Sequence, residues 1–166
     1  MVTTSESGVT TFSTPTDREV RFTRTFDAPR ELVWKAWTTP ALLQQWLLGP
    51  DGWTMPICEF EPRAGAAWRH GWHSPSGQGD DFEMSGEVVE VVPPEKLVTT
   101  ERWGGEGPEA INTLVLVEKN GRTTITLTSR YPSKEVRDQV IATGMARGVE
   151  ASFERLAAML GGGAEG

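Results

Sequence analysis

Seven tryptophans and two histidines carry most of the chemistry that this sequence offers. In the run Ala66–His73, Trp68, His70 and Trp72 alternate with Arg69, Gly71 and His73. Successive side chains of a strand point to opposite faces, so Trp68, His70 and Trp72 share one face and Arg69 and His73 the other. A histidine between aromatic neighbours, aimed into a cavity, can serve as acid, base or hydrogen-bond donor because its ordinary pKa lies near neutrality. The competing reading is a core histidine satisfied by a carbonyl or carboxylate. His70 and His73 on opposite faces cannot share a metal, and Cys58 is the lone cysteine, so no metal site is expected. Cys58 sits in an apolar run and reads as a small core residue.

The tryptophans are the larger signal. Trp37, Trp46, Trp68, Trp72 and Trp103 could line one cavity and stack on a planar ligand, the alternative being core filling. Trp34 and Trp53 read as packing or rim residues. Met145, Val149 and Phe153 would add apolar contact from a late helix, where Gly144 and Gly148 either let the sheet approach or leave ligand space beside them. Arg147 could reach an acid group of a ligand, a solvated arginine being the simpler account. Asp80, Asp81 and Glu83 form either a carboxylate pair or an acidic loop, the latter fitting an acidic chain better. Glu101 and Arg102 are strand neighbours facing opposite ways, and whichever points inward needs a partner. The sequence holds no Ser-His-Asp or Cys-His arrangement, no phosphate loop and no dinucleotide fingerprint, so no cofactor is expected.

These residues need elements to position them. Ser133–Leu160 carries Val136, Val140, Ile141, Met145, Val149, Phe153, Leu156 and Leu160 at helical steps, with Ser133 as cap and Gly161–Gly163 as stop. Its 28 residues predict one rod of about 40 Å. Glu19–Phe26 alternates as a strand; Asp27 is a candidate cap before Pro29, and short helices follow over Arg30–Thr38 and Pro40–Leu47. Strands are predicted over Met55–Glu61, Ala66–His73, Asp81–Val92, Lys96–Trp103, Ala110–Lys119 and Thr123–Tyr131, separated by turn residues that include Pro75-Ser76-Gly77. Asn120-Gly121 between alternating runs is the strongest hairpin signal. The expected fold is α+β: a curved antiparallel sheet of about seven strands around the long C-terminal helix, with two short helices after the first strand. Residues 1–17, rich in Ser and Thr, read as a disordered tail, 18–160 as a single domain, and 161–166 as a flexible end.

At 166 residues, with net charge −7 and no run of Lys or Arg, a nucleic-acid partner is not expected. No stretch reaches the length of a membrane span, and the first residues carry no signal-peptide pattern, so neither membrane insertion nor secretion is expected. One cysteine excludes an internal disulfide and is compatible with a cytoplasmic setting.

Several motifs occur in a specific order: Phe26-Asp27-Ala28-Pro29-Arg30-Glu31-Leu32-Val33-Trp34-Lys35-Ala36-Trp37-Thr38, then Trp46, Gly49-Pro50, Cys58-Glu59-Phe60-Glu61-Pro62-Arg63, Gly65-Ala66-Ala67-Trp68-Arg69 and Glu90-Val91-Val92-Pro93-Pro94-Glu95-Lys96-Leu97-Val98. With the helix carrying Gly144-Met145 and Leu156, they make the chain resemble the START-like SRPBCC superfamily over residues 18–160. The branch it is most similar to is the C-terminal domain of the activator of the heat-shock-protein-90 ATPase. That resemblance implies a helix-grip fold with a cavity between sheet and long helix that holds an apolar molecule in many relatives. The chain departs at Trp46-Leu47-Leu48, where relatives often carry two adjacent tryptophans, at the insertion Gly104–Pro108, and at His70, where relatives often carry an aliphatic residue.

Three functions stay open: a binding protein for an apolar, aromatic or lipid-like small molecule, a polyketide cyclase-like or hydrolase-like enzyme using His70, and a module that contacts a heat-shock-protein-90 chaperone. A homodimer stays open as well.

Overall fold

The computed structural model describes residues 9–75 and 81–165. The element order is β1 (Thr11–Ser13), β2 (Glu19–Phe26), α1 (Arg30–Thr38), α2 (Pro40–Trp46), β3 (Thr54–Glu59), β4 (Ala67–His73), β5 (Phe82–Val92), β6 (Lys96–Trp103), β7 (Ala110–Lys119), β8 (Arg122–Arg130), α3 (Lys134–Ala142) and α4 (Met145–Glu165). The eight strands form one antiparallel curved sheet in the order β1-β2-β8-β7-β6-β5-β4-β3. β2 leaves for β3 through α1 and α2, and β8 closes beside β2. The α3–α4 arm then returns across the concave face.

Alternation decides which side chains face the helices. β2 buries Val20, Phe22, Arg24 and Phe26, β7 buries Ala110, Leu114 and Leu116, and β8 buries Thr123, Ile125 and Ser129. β7 and β8 turn at Asn120 (φ 56°) and Gly121 (φ 77°), a two-residue link that sets Lys119 opposite Arg122. α4 is pinned at its middle, where Phe153 meets Phe22, Phe26 and Trp37 edge-on at 6.4, 6.1 and 5.9 Å and Leu156 is fully buried. The buried Arg24 reaches from β2 to Glu154 of α4 at 2.8 Å and to Thr10 at 3.2 Å.

Four expectations are corrected. The C-terminal helix is not one rod: it breaks at Thr143-Gly144, where Gly144 takes φ 83°. The N–H groups of Thr143 and Gly144 bond to Val140 and Ile141, so α3 ends on a left-handed glycine. Gly161–Gly163 do not stop α4, which runs to Glu165; Gly161 keeps a φ outside the left-handed region. The tail is not structureless to Asp17. Thr11–Ser13 pair with Arg21–Thr23 because β2 has an open edge and Phe12 packs on Phe22 at 5.1 Å. Residues 1–8 lie outside the described residues, as do Ser76 and Gly77 of the expected turn. Asp27 does not cap α1; it accepts from Arg122 Nε at 2.7 Å, while Ser133 does cap α3, accepting from Val136 N at 3.1 Å.

The break gives a paired expectation. At Gly144 an added Cβ meets nothing within 4 Å, so Gly144→Ala carries only the left-handed backbone penalty, a loss of about 1 kcal/mol. At Gly148 an added Cβ lies 3.7 Å from Pro50 Cδ and 3.9 Å from Gly49 Cα, ordinary contact. Gly148→Ala should therefore be neutral or stabilising by up to about 1 kcal/mol. Urea unfolding of both variants checks the sign difference.

Candidate ligand cavity

The concave face of β4–β8 and the first half of α4 leave a cavity of about 430 Å³ between them. Phase on each strand selects its wall. β4 supplies Trp68, His70 and Trp72, β5 supplies Phe82 and Met84, and β6 supplies Leu97, Thr99, Glu101 and Trp103. β7 and β8 add Asn112, Leu114, Leu127 and Ser129, and Tyr131 closes the far end. From above come Val140, Thr143 and Gly144 at the helix break, then Met145, Gly148, Val149 and Phe153. The break keeps α3 and α4 from forming one continuous roof.

One wall is the loop Leu47–Pro50. It is held from both sides. Trp72 Nε1 donates to Leu47 O at 2.8 Å, Gly49 N donates to Ser152 Oγ at 2.9 Å, and Arg155 Nη1 donates to Gly49 O at 2.6 Å. The mouth carries an aromatic column. Trp103 stacks on Phe82 (4.8 Å, 9°), and Phe82 stacks on Trp72 (4.9 Å, 22°). Trp53 meets Phe82 edge-on at 5.6 Å. Trp103 is 46% exposed, so the column continues to the surface.

Of the sequence-predicted residues, Trp37, Trp68, His70, Trp72, Trp103, Met145, Val149 and Phe153 border the cavity. Trp46 does not. It is fully buried against Trp37 at 4.6 Å, with Nε1 donating to Ala36 O at 3.0 Å, and so belongs to the α1–α2 core. Trp53, read as a packing or rim residue, lies on the wall. Gly148 faces the Gly49-Pro50 loop at ordinary contact distance and borders the cavity.

His70 lies between Trp68 at 4.7 Å and Trp72 at 5.7 Å, 9% exposed. Its Nε2 is buried with no hydrogen-bond partner. Burial disfavours the imidazolium and lowers the pKa to about 4, so the expected ionisation near neutrality is corrected. At neutral pH this ring is an uncharged group able to make one further hydrogen bond. His73 faces outward and pairs with Asp81 at 3.1 Å. Asp81 also accepts from Ser74 N, and Glu83 forks onto Arg69 at 2.8 and 3.0 Å, so these acids serve the outer surface. Asp80 lies outside the described residues. Burial pushes the Cys58 thiol up to about 11, which keeps it protonated and inert. Among the described residues no three His, Cys, Asp or Glu side chains converge as a metal site would require.

The residues that the sequence reading missed form a polar row. Thr99, Asn112 and Ser129 stand opposite one another on β6, β7 and β8. Ser129 Oγ donates to Asn112 Oδ1 at 2.6 Å, and Asn112 Nδ2 donates to Glu101 Oε1 at 3.0 Å. Glu101 is thus the inward member of its strand pair, and Asn112 is the partner it needed. Burial raises its pKa. Burial and the nearby Glu101 carboxyl push Tyr131 up to about 12. The signal was phase, since each of these residues shares its face with Leu97, Leu114 or Leu127.

Solved structures repeat this architecture. A protein of Rhodobacter sphaeroides is 33% identical, the match covering 93% of this chain and 99% of that one at a TM-score of 0.85. The AHSA1 protein of Silicibacter pomeroyi is 25% identical over 86% of this chain and 97% of its own, at 0.70. A protein of Mycobacterium smegmatis, 20% identical over 92% and 97%, shares the fold at 0.82. Among curated proteins none matches. Residues 27–161 match the family described as "Activator of Hsp90 ATPase homolog 1-like protein", and the chain belongs to that family.

Proposed function

We propose that this protein binds one flat, largely apolar small molecule between α4 and the sheet, as a carrier or sensor of that molecule. The observation that carries the reading is the roughly 430 Å³ cavity with the Trp72–Phe82–Trp103 column at its mouth. Cavities of about 300–1,000 Å³, apolar with a few convergent polar groups, are the usual form of a small-molecule site. Affinity would come from burial, at about 25 cal/mol per Å² of apolar area before the costs of ordering. Trp72, Phe82 and Met145 would supply contact and His70 Nε2 the polar anchor.

Trp103→Ala tests this reading. The ring is half out of the fold, so its loss should change stability by less than about 1 kcal/mol while weakening an aromatic ligand by about tenfold. Tryptophan fluorescence titration beside urea unfolding measures both quantities. Unchanged affinity in a folded variant would take the column out of the site. Native mass spectrometry of protein purified gently from its host should show a bound species at one per chain.

A further inference from the structure

Among the described residues the cavity has one carboxyl group and no lysine or arginine to balance it. Among the described residues that border it, the titratable ones are His70, Glu101 and Tyr131. His70 faces in from β4 and Tyr131 from beyond β8, while the bordering residues of α3 and α4 are uncharged. Burial deprives Glu101 of water, and a buried carboxylate without a counter-charge is costly. The donors around it nevertheless run toward it. Ser129 Oγ donates a hydrogen bond to Asn112 Oδ1, and Asn112 Nδ2 donates one to Glu101 Oε1, so the chain ends on a carboxyl oxygen. Burial, the larger effect, favours the neutral acid, and the bond from Asn112 works against it in favour of the charged form. Among the described residues no further protein donor meets Glu101. The remaining wall is mostly apolar, with aliphatic side chains such as Leu97, Leu114 and Met145 beside the aromatic rings of Trp68, Trp72 and Trp103.

We propose that the molecule held here is an organic cation: a protonated amine on an apolar body, its nitrogen at Glu101 and its body against the apolar wall. This rests on the cavity being a binding site. A cation supplies the missing counter-charge at Glu101, and its apolar body packs on the apolar wall. A carboxylate ligand, fatty acids included, meets an acid and no cation, and is excluded.

Calorimetric titration at neutral pH with 2-naphthylmethylamine, 2-naphthylmethanol and 2-naphthoate separates the ligand classes. The amine should bind at least about tenfold more tightly than the alcohol, the worth of one charged hydrogen bond, with the carboxylate weakest. Glu101→Gln keeps an acceptor for Asn112 and should erase the amine's advantage while leaving the alcohol within about twofold, since only the charge is lost. Alcohol binding equal to the amine, or amine binding unchanged in Glu101→Gln, overturns the cation and leaves the cavity as a binding site. Failure of all three to bind overturns both.

Discussion

Trp68→Ala should cost about 4 kcal/mol of stability, far more than any change at the cavity mouth. The indole is 6% exposed and packs where Gly86 and Glu87 of β5 pass Thr100 of β6, ahead of the register slip between Val88 and Glu90. Between the pairs Ser85–Arg102 and Val88–Thr99 side chains complete the ladder: Trp68 Nε1 donates to Thr100 O at 2.9 Å, and Thr100 Oγ1 accepts from Glu87 N at 3.0 Å. Removing the ring leaves a cavity and an unpaired carbonyl together. Trp68→Phe separates the two effects and should lose roughly 1–3 kcal/mol, mostly the orphaned carbonyl. Gly86 belongs to the same device. A methyl there would collide with the Thr100 carbonyl and stand 2.9 Å from Trp68 Nε1, so Gly86→Ala should also destabilise. Urea unfolding measures all three. A folded, stable Trp68→Ala protein that no longer binds ligand would move Trp68 from the frame to the site.

The second large effect is in acid. The folded pKa of His70 is about 4 against 6.5 for the unfolded group, so the unfolded state binds the proton first. Stability is fully present above pH 6.5 and falls as the pH drops toward about 4, by about 3 kcal/mol in all. His70→Gln should flatten that limb. Glu101 runs the other way. Its folded pKa is raised above 4.5, so its contribution is present below pH 4.5 and is lost as pH rises through the folded value. Glu101→Gln should therefore stabilise the empty protein at neutral pH. No pH relieves both groups at once. Unfolding curves between pH 4 and 8 should show the two variants displaced in opposite parts of the range. A wild-type acid limb that survives His70→Gln would contradict the burial argument.

Strand phase made much of this legible. The Trp68, His70 and Trp72 face, the Asn120-Gly121 hairpin and the Ser133 cap follow from local chemistry alone. The break at Gly144 was hidden because the apolar steps continue across it: Val140, Ile141, Met145 and Val149 keep helical spacing through a residue with φ 83°. Trp46 was misplaced because periodicity gives a face and not a depth. Glu101 keeps phase with Leu97 and Thr99, but the group that satisfies it, Asn112, lies eleven residues on in the next strand, so the sequence around it does not show its partner. His70 was read as near-neutral because its sequence neighbours do not report how completely the Trp68 and Trp72 rings exclude water.

The central claim is that a small molecule enters the space between α4 and the sheet. Methyl-labelled methionine gives the most direct test, because Met84 and Met145 border that space while Met55 is buried in the fold away from it. Titration with the naphthyl amine and alcohol should move the Met84 and Met145 methyl resonances together, saturating at one ligand per chain, with Met55 still. Saturable binding that moves neither Met84 nor Met145 would contradict the account.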